Sequence, residues 1–432
     1  MKSSYDAIVV GAGPAGSSAA LTMARAGLKV ALLERGAFPG EKNMFGGVLH
    51  RLTALEEIFP DFWEQAPLER HIVKKNLSFM TGEAFFNVSF DTQESDRPPY
   101  NGYTIFRPRF DNWLAEEAVK AGATLLTRTT VDDVILDNGK VVGVTILRDG
   151  GELRAPVVVA ADGVLSFVAK KAGLRQPKFS PDDQGVCVKA LIDMPKEVID
   201  DRFGLVRDQG ASNEIVGCTG GVRGGTFLYT NYDSLSLGLV LQLSSVTERG
   251  QTPYDLLNGV MQQPQVAKLL RGGRLLEYSA HLVPKSGYKM MPELVGDGIL
   301  VAGDAAAFCI VTGINLEGIN HAVQSGVLAG QAAIQAHQAR NFSKAGLAVY
   351  RRLLEESFVL KDLKLYRNTP HMLHNDRIFT QYPEMLCGIM DEIYRIDGTP
   401  KDTMTKLLLR KVKETVGLKN LMADVYSGWR AL

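Results

Sequence analysis

The clearest chemical pattern in the sequence is the run GAGPAG at residues 11–16, which follows an apolar strand and opens a helix. Gly11 permits a tight turn, Gly13 lets the backbone approach a pyrophosphate, and Gly16 lets the helix pack close to the sheet. The free N–H groups and the positive dipole end of that helix attract phosphate. Glu34 ends the next strand, where a carboxylate accepts both hydroxyls of an adenosine ribose. The spacing predicts a dinucleotide site, in which Arg35 either contacts the adenosine or stays in solvent.

Other short motifs stand where a strand ends or a helix begins. Gly303-Asp304 follows the apolar strand 299–302, and the run ADG at 161–163 ends another predicted strand. A long helix of small residues is predicted from about residue 314 to 339, and the run TGIN at 312–315 opens it. The positive end of that helix would stabilise negative charge on a bound group. The loop 43–47, with the sequence NMFGG, contains glycines that permit close backbone approach to a ligand.

A small set of predicted elements positions these motifs. Residues 6–34 read as one βαβ unit, and residues 110–121 as a helix that ends at Gly122. Residues 175–285 alternate apolar and polar side chains, which predicts antiparallel strands. After residue 345 the pattern is mostly helical. We therefore predict a discontinuous nucleotide-binding domain of residues 1–70, 104–172 and 284–345, a second domain of 71–103 and 173–283, and a mainly helical region of 346–432.

The composition is that of a globular protein with ample buried core: 432 residues, of which 45% are apolar and 22% charged. Basic and acidic residues balance at 48 each, so charge gives no indication of nucleic acid as a partner. The four cysteines lie far apart in sequence, which predicts buried thiols in a reducing cytosol and no metal or iron–sulfur cluster in this chain. Without a signal peptide or a run of about 20 apolar residues, we expect a cytoplasmic protein.

The motifs together resemble a known superfamily. The run 11–16, Glu34, Arg107 (in FRPRFD, 106–111), Asp162 and Gly303-Asp304 are similar to the glutathione-reductase-type FAD proteins. More narrowly, the sequence resembles the branch that contains geranylgeranyl reductases and the FixC/electron-transfer-flavoprotein:quinone oxidoreductase family, and this resemblance covers nearly the whole chain. It implies a mixed α/β fold: a Rossmann-like FAD-binding domain, an inserted antiparallel β-sheet domain for a quinone, and a helical C-terminal region for partner or membrane contact.

The resemblance also implies roles for individual residues. Asp304 corresponds to the residue that binds the ribityl chain, and Arg107 to one that contacts FAD. The loop 43–47 would lie under the isoalloxazine ring, and the helix start at 312–315 would face the flavin pyrimidine edge, where reduced flavin carries negative charge. No acid–base catalyst is predicted. The implied FAD-binding residues are Gly11, Gly13, Pro14, Ala15, Gly16, Glu34, Arg35, Gly46, Gly47, Arg107, Val131, Ala161, Asp162, Gly163, Gly303, Asp304, Gly313, Ile314 and Asn315.

The function implied by the resemblance is electron transfer to a quinone. Electrons would pass from a two-subunit electron-transfer flavoprotein, similar to FixA and FixB, through a ferredoxin-like FixX-type partner to FAD and on to menaquinone or ubiquinone. Because this chain has no cluster motif, the iron–sulfur centre is expected on that partner. Some such assemblies bifurcate electrons from NADH. We expect the protein at the cytoplasmic face of a membrane. Candidate quinone-pocket residues, each of a type found more often in a plain core than at a quinone wall, are Phe45, Tyr103, Phe106, Phe227, Phe308 and Ile310.

Other readings of the sequence remain open. An FAD-dependent geranylgeranyl (prenyl) reductase would share the fold and a membrane-derived substrate. An NADPH-dependent aromatic hydroxylase is weakened because residues 305–312 lack the His and Pro usual after the Gly-Asp motif. A scaffold with a structural flavin is a further reading. The basic stretch 401–419 either contacts a partner or anionic lipid or is a solvated amphipathic helix, and His281 and His321 are either proton relays or structural residues.

Overall fold

A computed structural model describes residues 2–42, 47–147, 150–176, 179–313 and 315–431. Its strands, in chain order, are β1 (Lys2–Ser4), β2 (Ala7–Val10), β3 (Val30–Leu33), β4 (Gly47–His50), β5 (Leu68–Met80), β6 (Phe85–Asp91), β7 (Gly102–Ile105), β8 (Thr124–Leu126), β9 (Val131–Asp137), β10 (Lys140–Ile146), β11 (Glu152–Arg154), β12 (Val158–Ala160), β13 (Gln184–Asp193), β14 (Gln209–Val216), β15 (Gly224–Thr230), β16 (Ser234–Gln242), β17 (Arg274–Pro284), β18 (Val295–Gly296), β19 (Ile299–Val301), β20 (Ile310–Val311) and β21 (Leu316–Glu317).

The helices follow the same chain order. They are α1 (Pro14–Arg25), α2 (Thr53–Ile58), α3 (Arg107–Lys120), α4 (Phe167–Lys171), α5 (Lys196–Phe203), α6 (Leu243–Arg249), α7 (Pro253–Gln262), α8 (Pro264–Leu270), α9 (Gly287–Met290), α10 (Ile319–Gln338), α11 (Lys344–Leu347), α12 (Val349–Glu356), α13 (Phe358–Leu365), α14 (Thr369–Met372), α15 (Gln381–Tyr394), α16 (Met404–Glu414) and α17 (Leu418–Ala431).

A parallel sheet holds the nucleotide-type motifs. Its strand order is β18-β19-β12-β2-β3-β8, and all neighbours run parallel except β18, which is antiparallel to β19. β2, β3 and β12 are buried along their whole length, as continuous apolar strands covered on both faces must be. The predicted motifs at 11–16, 161–163 and 303–304 follow β2, β12 and β19, which are adjacent. The sheet therefore brings the three motifs to one edge.

Small residues allow α1 and α10 to pack closely beside that sheet. A Cβ added at Gly326 of α10 would overlap the carbonyl oxygen of Ala15 in α1. One turn further on, a Cβ at Gly330 would stand 2.8 Å from the Thr22 Cβ. Glycine at these two positions therefore sets the distance between the helices, and the small-residue composition of α10 has a packing reason.

A nine-stranded sheet forms the second layer. Its order is β17-β13-β16-β15-β14-β5-β7-β4, and β6 pairs with the C-terminal part of β5, from Lys74 to Met80. The strands predicted within 175–285 pair antiparallel with one another, as expected. The sheet as a whole is not purely antiparallel, because β14 also pairs in parallel with β5, which lies outside that range. These strands lie far apart in sequence, and the chain between them supplies the crossover that a parallel pair requires. The strands come from residues 47–105 and 184–284, and the domain boundaries given above remain a prediction.

The two faces of this sheet have different partners. One face packs on α5, α7 and α8 through an apolar cluster that includes Val188, Leu228 and Leu239. The opposite face carries a smaller cluster around Cys187 and Phe227 and lines a cavity. Adjacent residues such as Cys187 and Val188 point to opposite faces because side chains alternate along a strand.

The C-terminal region is helical, as predicted. The stretch 401–419 is two helices rather than one: α16 ends at Glu414, and α17 begins at Leu418 after Gly417 takes a left-handed φ of +79°. Basic groups of α16 are in ion pairs: Lys406 with Asp402, and Arg410 and Lys411 with Glu392 of α15. Within the described residues, no helix is long and apolar enough to cross a membrane.

We predict that Gly326→Val lowers the stability of the fold by about 1–3 kcal/mol or more, because the new side chain must push α10 away from α1. Thermal unfolding of the two proteins measures this loss. The matched control is Gly259→Ala in α7, where a Cβ meets nothing within 4 Å, so Tm should hold or rise. An unchanged Tm in Gly326→Val would show that this helix contact is looser than described.

Candidate functional site

A cavity of about 760 Å³ lies between the motif edge of the parallel sheet and one face of the nine-stranded sheet. Of the sequence-predicted FAD residues, those that line it are Gly11, Gly13, Pro14, Ala15, Glu34, Arg35, Gly47, Arg107, Val131, Ala161, Asp162, Gly163, Asp304, Gly313 and Asn315. Gly16 and Gly303 pack behind the lining, while Gly46, Ile314 and Phe45 lie outside the described residues. The tertiary structure thus collects residues more than 300 positions apart around one space.

The glycines of the turn 11–16 differ in what surrounds them. Gly11 has a φ of +99°, and a Cβ there would overlap the carbonyl oxygen of Ala161 in the neighbouring motif. A Cβ at Gly16 would overlap the Gly11 carbonyl oxygen, so this glycine lets α1 approach the strand. At Gly13 a Cβ would meet nothing within 4 Å. Gly13 alone of the three opens on free space, where a pyrophosphate would approach the helix N-terminus.

Glu34 is buried and held by backbone N–H groups of two turns. Its Oε2 accepts a hydrogen bond from Ala12 N at 3.2 Å, and its Oε1 accepts one from Gly36 N at 2.7 Å. These bonds fix the carboxylate at the cavity wall, and each oxygen keeps a further lone pair for a ligand hydroxyl. This geometry suits the ribose contact predicted from the sequence.

The Gly303-Asp304 turn lies against the first motif. Gly303 has a φ of +65°, its N–H donates to Ser325 Oγ at 3.0 Å, and a Cβ there would stand 2.8 Å from the Ala15 Cβ. The buried Arg175, which the sequence did not single out, donates from Nη1 to Ala305 O at 2.6 Å and holds the turn from behind. Asp304 lines the cavity, and its carboxylate has no hydrogen-bond partner among the described residues. Burial raises the pKa of Asp304, with the Arg107 guanidinium acting against it.

Two other residues predicted to contact FAD, Arg107 and Asp162, already form hydrogen bonds within the protein. Arg107 forms a two-point ion pair with the buried Asp111, at 2.8 Å from Nε to Oδ1 and 2.9 Å from Nη2 to Oδ2. Asp162 accepts hydrogen bonds from Val168 N at 3.0 Å and Ser166 Oγ at 3.3 Å, so it tethers the start of α4. Both side chains line the cavity in fixed positions.

The predicted helix start at 312–315 is wrong. Thr312 and Asn315 close a hairpin between β20 and β21, with Gly313 at a φ of +95°, and α10 begins only at Ile319. Ile310-Val311 and Leu316-Glu317 pair as two short strands, a pairing that the predicted helix pattern did not indicate. The helix N-terminus at the cavity is therefore Gly318, where a Cβ would stand 3.8 Å from Asp304 Oδ1. Gly313 and Asn315 still line the cavity, as part of the hairpin.

Of the six candidate quinone-pocket residues, Phe227 lines the cavity. Tyr103 packs edge-on against Phe62 and Tyr100, Phe106 lies under the Arg109 guanidinium, and Phe308 and Ile310 are in the main core. The prediction that these four residues line the cavity is therefore wrong, because all four are buried packing residues. Phe227 stacks on Tyr229 with ring centroids 4.7 Å apart, and both rings face the cavity.

The sheet also places polar residues on the cavity that the sequence did not identify. One stands on each of four strands: Lys75 of β5, Lys189 of β13, Glu214 of β14 and Tyr229 of β15. His281 of β17, one of the two residues that the sequence offers as a proton relay, also lines the cavity. Burial lowers the pKa of His281 to about 4, and the charges of Arg107 and Lys189 add to this, so the ring is neutral at physiological pH. His321 is buried against Phe358 and is not part of the lining. The sequence predicts that apolar and polar residues alternate along these strands, but it does not indicate which of the two sides faces the cavity.

The described lining is richer in cations than in carboxylates. Its basic residues are Arg35, Lys42, Lys75, Arg107, Lys189, Arg223 and Lys285, and its acids are Glu34, Asp162, Glu214 and Asp304. Excess positive charge around a half-enclosed space favours an anionic ligand. A pyrophosphate and an anionic reduced flavin are both ligands of this kind.

Comparison with known protein families gives two matches along the chain. The FAD binding domain family matches residues 4–207, and the ETF-QO/FixC family C-terminal domain matches residues 369–432. The first match spans the turn 11–16, Glu34, Arg107 and Asp162. FAD is therefore the cofactor, and the described lining fits it. It has open space at Gly13, a held carboxylate at Glu34 and, at Asp304, a carboxylate without a hydrogen-bond partner among the described residues.

Curated relatives match the whole chain. The protein FixC of Escherichia coli K12 is 43% identical over 425 residues, covering 98% of this chain and 98% of that protein. The probable electron transfer flavoprotein-quinone oxidoreductase YdiS of the same organism is 42% identical over 429 residues and covers 99% of both chains. Among solved structures, a geranylgeranyl bacteriochlorophyll reductase-like protein from Thermoplasma acidophilum aligns with a TM-score of 0.74 at 20% identity, over 99% of this chain and 100% of the other. That structure supports the fold.

We predict that Gly13→Val abolishes FAD binding while the apoprotein still folds. The new side chain meets no protein atom, since an added Cβ has nothing within 4 Å, but it fills the space that the pyrophosphate needs. Flavin absorbance of the purified protein measures binding, and circular dichroism measures folding. Gly16→Val is the contrast, because overlap with the Gly11 carbonyl oxygen should damage the fold itself. A fully loaded, yellow Gly13→Val protein would contradict the site.

Proposed function

This chain belongs to the FixC and electron-transfer-flavoprotein:quinone oxidoreductase family, and on that premise we propose that it passes electrons from an electron-transfer flavoprotein to a quinone through bound FAD. It is an FAD-dependent oxidoreductase by family. The proposal adds the donor, the acceptor and their order. A ferredoxin-like protein of the FixX type would hold the iron–sulfur cluster and pass electrons from the flavoprotein to this chain. The whole assembly would be able to bifurcate electrons from NADH.

The observation that carries the proposal is the continuity of the cavity. The same space is lined by the turn 11–16 at one side and by Phe227, Tyr229 and Val240 at the other. Apolar residues of the C-terminal region, Leu373 and Phe379, extend this second side. A flat aromatic substrate that enters between these walls would lie beside a flavin held at the motif edge.

The protein's own residues supply binding and charge. Glu34 and Asp304 offer carboxylates to ribose and ribityl hydroxyls, and Gly13 opens the helix N-terminus to phosphate. Lys189 lies on the opposite wall, where burial lowers its pKa and Phe227 lies 5.2 Å from its Nζ. FAD supplies the chemistry of accepting electrons singly and releasing two. The positive lining stabilises the negative charge that arrives with those electrons.

An exposed apolar stripe supports contact of the C-terminal region with the membrane that holds the quinone. Met422, Val425, Tyr426 and Trp429 of α17 recur at helical spacing, and Trp429 is 78% exposed. Such a stripe on an amphipathic helix suits burial at a lipid interface. The stripe supports our proposal of a peripheral membrane contact, and the cytoplasmic face stays a prediction from the sequence.

We predict that Phe227→Ala raises the KM for a short-chain benzoquinone about tenfold, because an aromatic cavity wall is lost, and that FAD content is unchanged. The assay supplies reduced electron-transfer flavoprotein with its ferredoxin-like partner and follows quinol formation. Tyr103→Phe is the matched control, since Tyr103 is buried away from the cavity and its hydroxyl has no hydrogen-bond partner in the part of the chain that the structure describes.

The same assay discriminates the other functions. Saturation of a prenyl double bond in place of quinol formation would identify a prenyl reductase, and turnover with NADPH and oxygen alone would identify a hydroxylase. If the partner proteins never reduce the bound FAD, the flavin has only a structural role. Any of these three results would overturn the proposed function.

We predict that Met422→Ser combined with Trp429→Ser reduces co-sedimentation with vesicles of phospholipid at least tenfold, because the exposed apolar stripe loses two of its anchors. Val88→Ser, at an exposed apolar residue of β6, is the control and should leave vesicle binding unchanged. Equal binding of the wild type and the double variant would rule out this stripe as the membrane contact.

A further inference from the structure

The cavity wall formed by the nine-stranded sheet carries one carboxyl group among the described residues, that of Glu214. Glu214 lies on β14, directly opposite Phe227 of β15 and Leu77 of β5. All three residues line the cavity. An acid between two apolar wall residues costs desolvation energy, so its presence needs a reason beyond packing.

Among the described residues, the groups around Glu214 hold it without forming a tight ion pair. Ser212 Oγ donates to Glu214 Oε1 at 2.6 Å from the same strand. From the neighbouring strands, Lys75 of β5 and Tyr229 of β15 face it, and Lys75 is exposed, so the cavity reaches solvent at that side. Burial raises the pKa of Glu214, while Ser212 and Lys75 act against the rise. Burial and Glu214 raise the pKa of Tyr229 as well, so its hydroxyl keeps its proton.

This arrangement is that of a proton donor at a substrate wall: an acid of raised pKa, an aromatic surface beside it, and a route to water. Resting on the proposed reduction of a quinone, we propose that the Glu214 carboxyl donates a proton to a quinone oxygen as the quinone is reduced in this cavity. Ser212 is a positioning residue that orients the carboxyl, and Lys75 marks the side from which the proton is replaced.

The step balances with the species named. Reduction of a quinone to a quinol adds two electrons and two protons. Bound FAD in its anionic reduced form would supply both electrons and one proton. The second proton would come from Glu214, whose O–H bond breaks as a quinol O–H bond forms. Glu214 is left as a carboxylate and regains its proton from water at the Lys75 side of the cavity.

The test uses the purified protein with bound FAD, reduced by light, and two oxidants. In Glu214→Gln, reoxidation by a short-chain benzoquinone should slow about 10²-fold, the lower end for loss of a general acid. Reoxidation by ferricyanide, which takes electrons without protons, should be unchanged. The wild-type rate with the quinone should fall as pH rises through the raised pKa, and the rate of Glu214→Gln should not follow pH. Glu214→Asp should restore part of the rate, and Glu83→Gln, at an exposed site, should behave as the wild type.

A second readout does not depend on turnover. The infrared difference between the wild type and Glu214→Gln should contain the carbonyl band of a protonated carboxylic acid at neutral pH, lost at higher pH. Absence of that band, or equal slowing with both oxidants, would overturn the role of Glu214. A wild-type protein that reacts with ferricyanide but never with the quinone would overturn the proposed function itself. Slowing with the quinone alone, together with the band, supports both.

Discussion

The close approach of α1 and α10 is the contact on which the site depends. Because Gly326 and Gly330 have no side chains, α10 lies against the backbone of Ala15 and the side chain of Thr22. The same approach sets the Gly303 turn against Ala15, so that the motif 11–16 and Asp304 line one space. A few added carbon atoms between the helices would separate the two halves of the cofactor site.

Charge is arranged around that contact in a consistent way. The carboxylates of Glu34 and Asp162 are held by backbone N–H groups, so they are fixed without neutralising nearby cations. Arg107 is fixed by Asp111, yet it still lines the cavity. The remaining positive charge faces the space in which an anionic cofactor would lie. Since such groups are oriented before any ligand arrives, binding requires little rearrangement of the protein.

The large sheet serves the site because its two faces differ. Its helix-covered face is a conventional apolar core, which makes the sheet rigid. Its other face mixes aromatic rings with Lys189, Glu214 and His281, and none of these polar groups would be tolerated on the first face. A rigid wall with a few polar positions is the usual construction of a substrate pocket.

The sequence by itself determined the elements whose chemistry is local. The turn 11–16, its flanking strands and Glu34 were predicted because glycine spacing and apolar runs act over a few residues, and the curated relatives agree with the family that these motifs indicated. The tertiary structure decided the rest. The hairpin at 310–317, the break between α16 and α17, the parallel pairing of β14 with β5, and the burial of Tyr103, Phe106, Phe308 and Ile310 all depend on contacts between distant segments. Alternation of apolar and polar residues predicts that a strand has two different faces. Only the elements packed on each face decide which side chains reach the cavity.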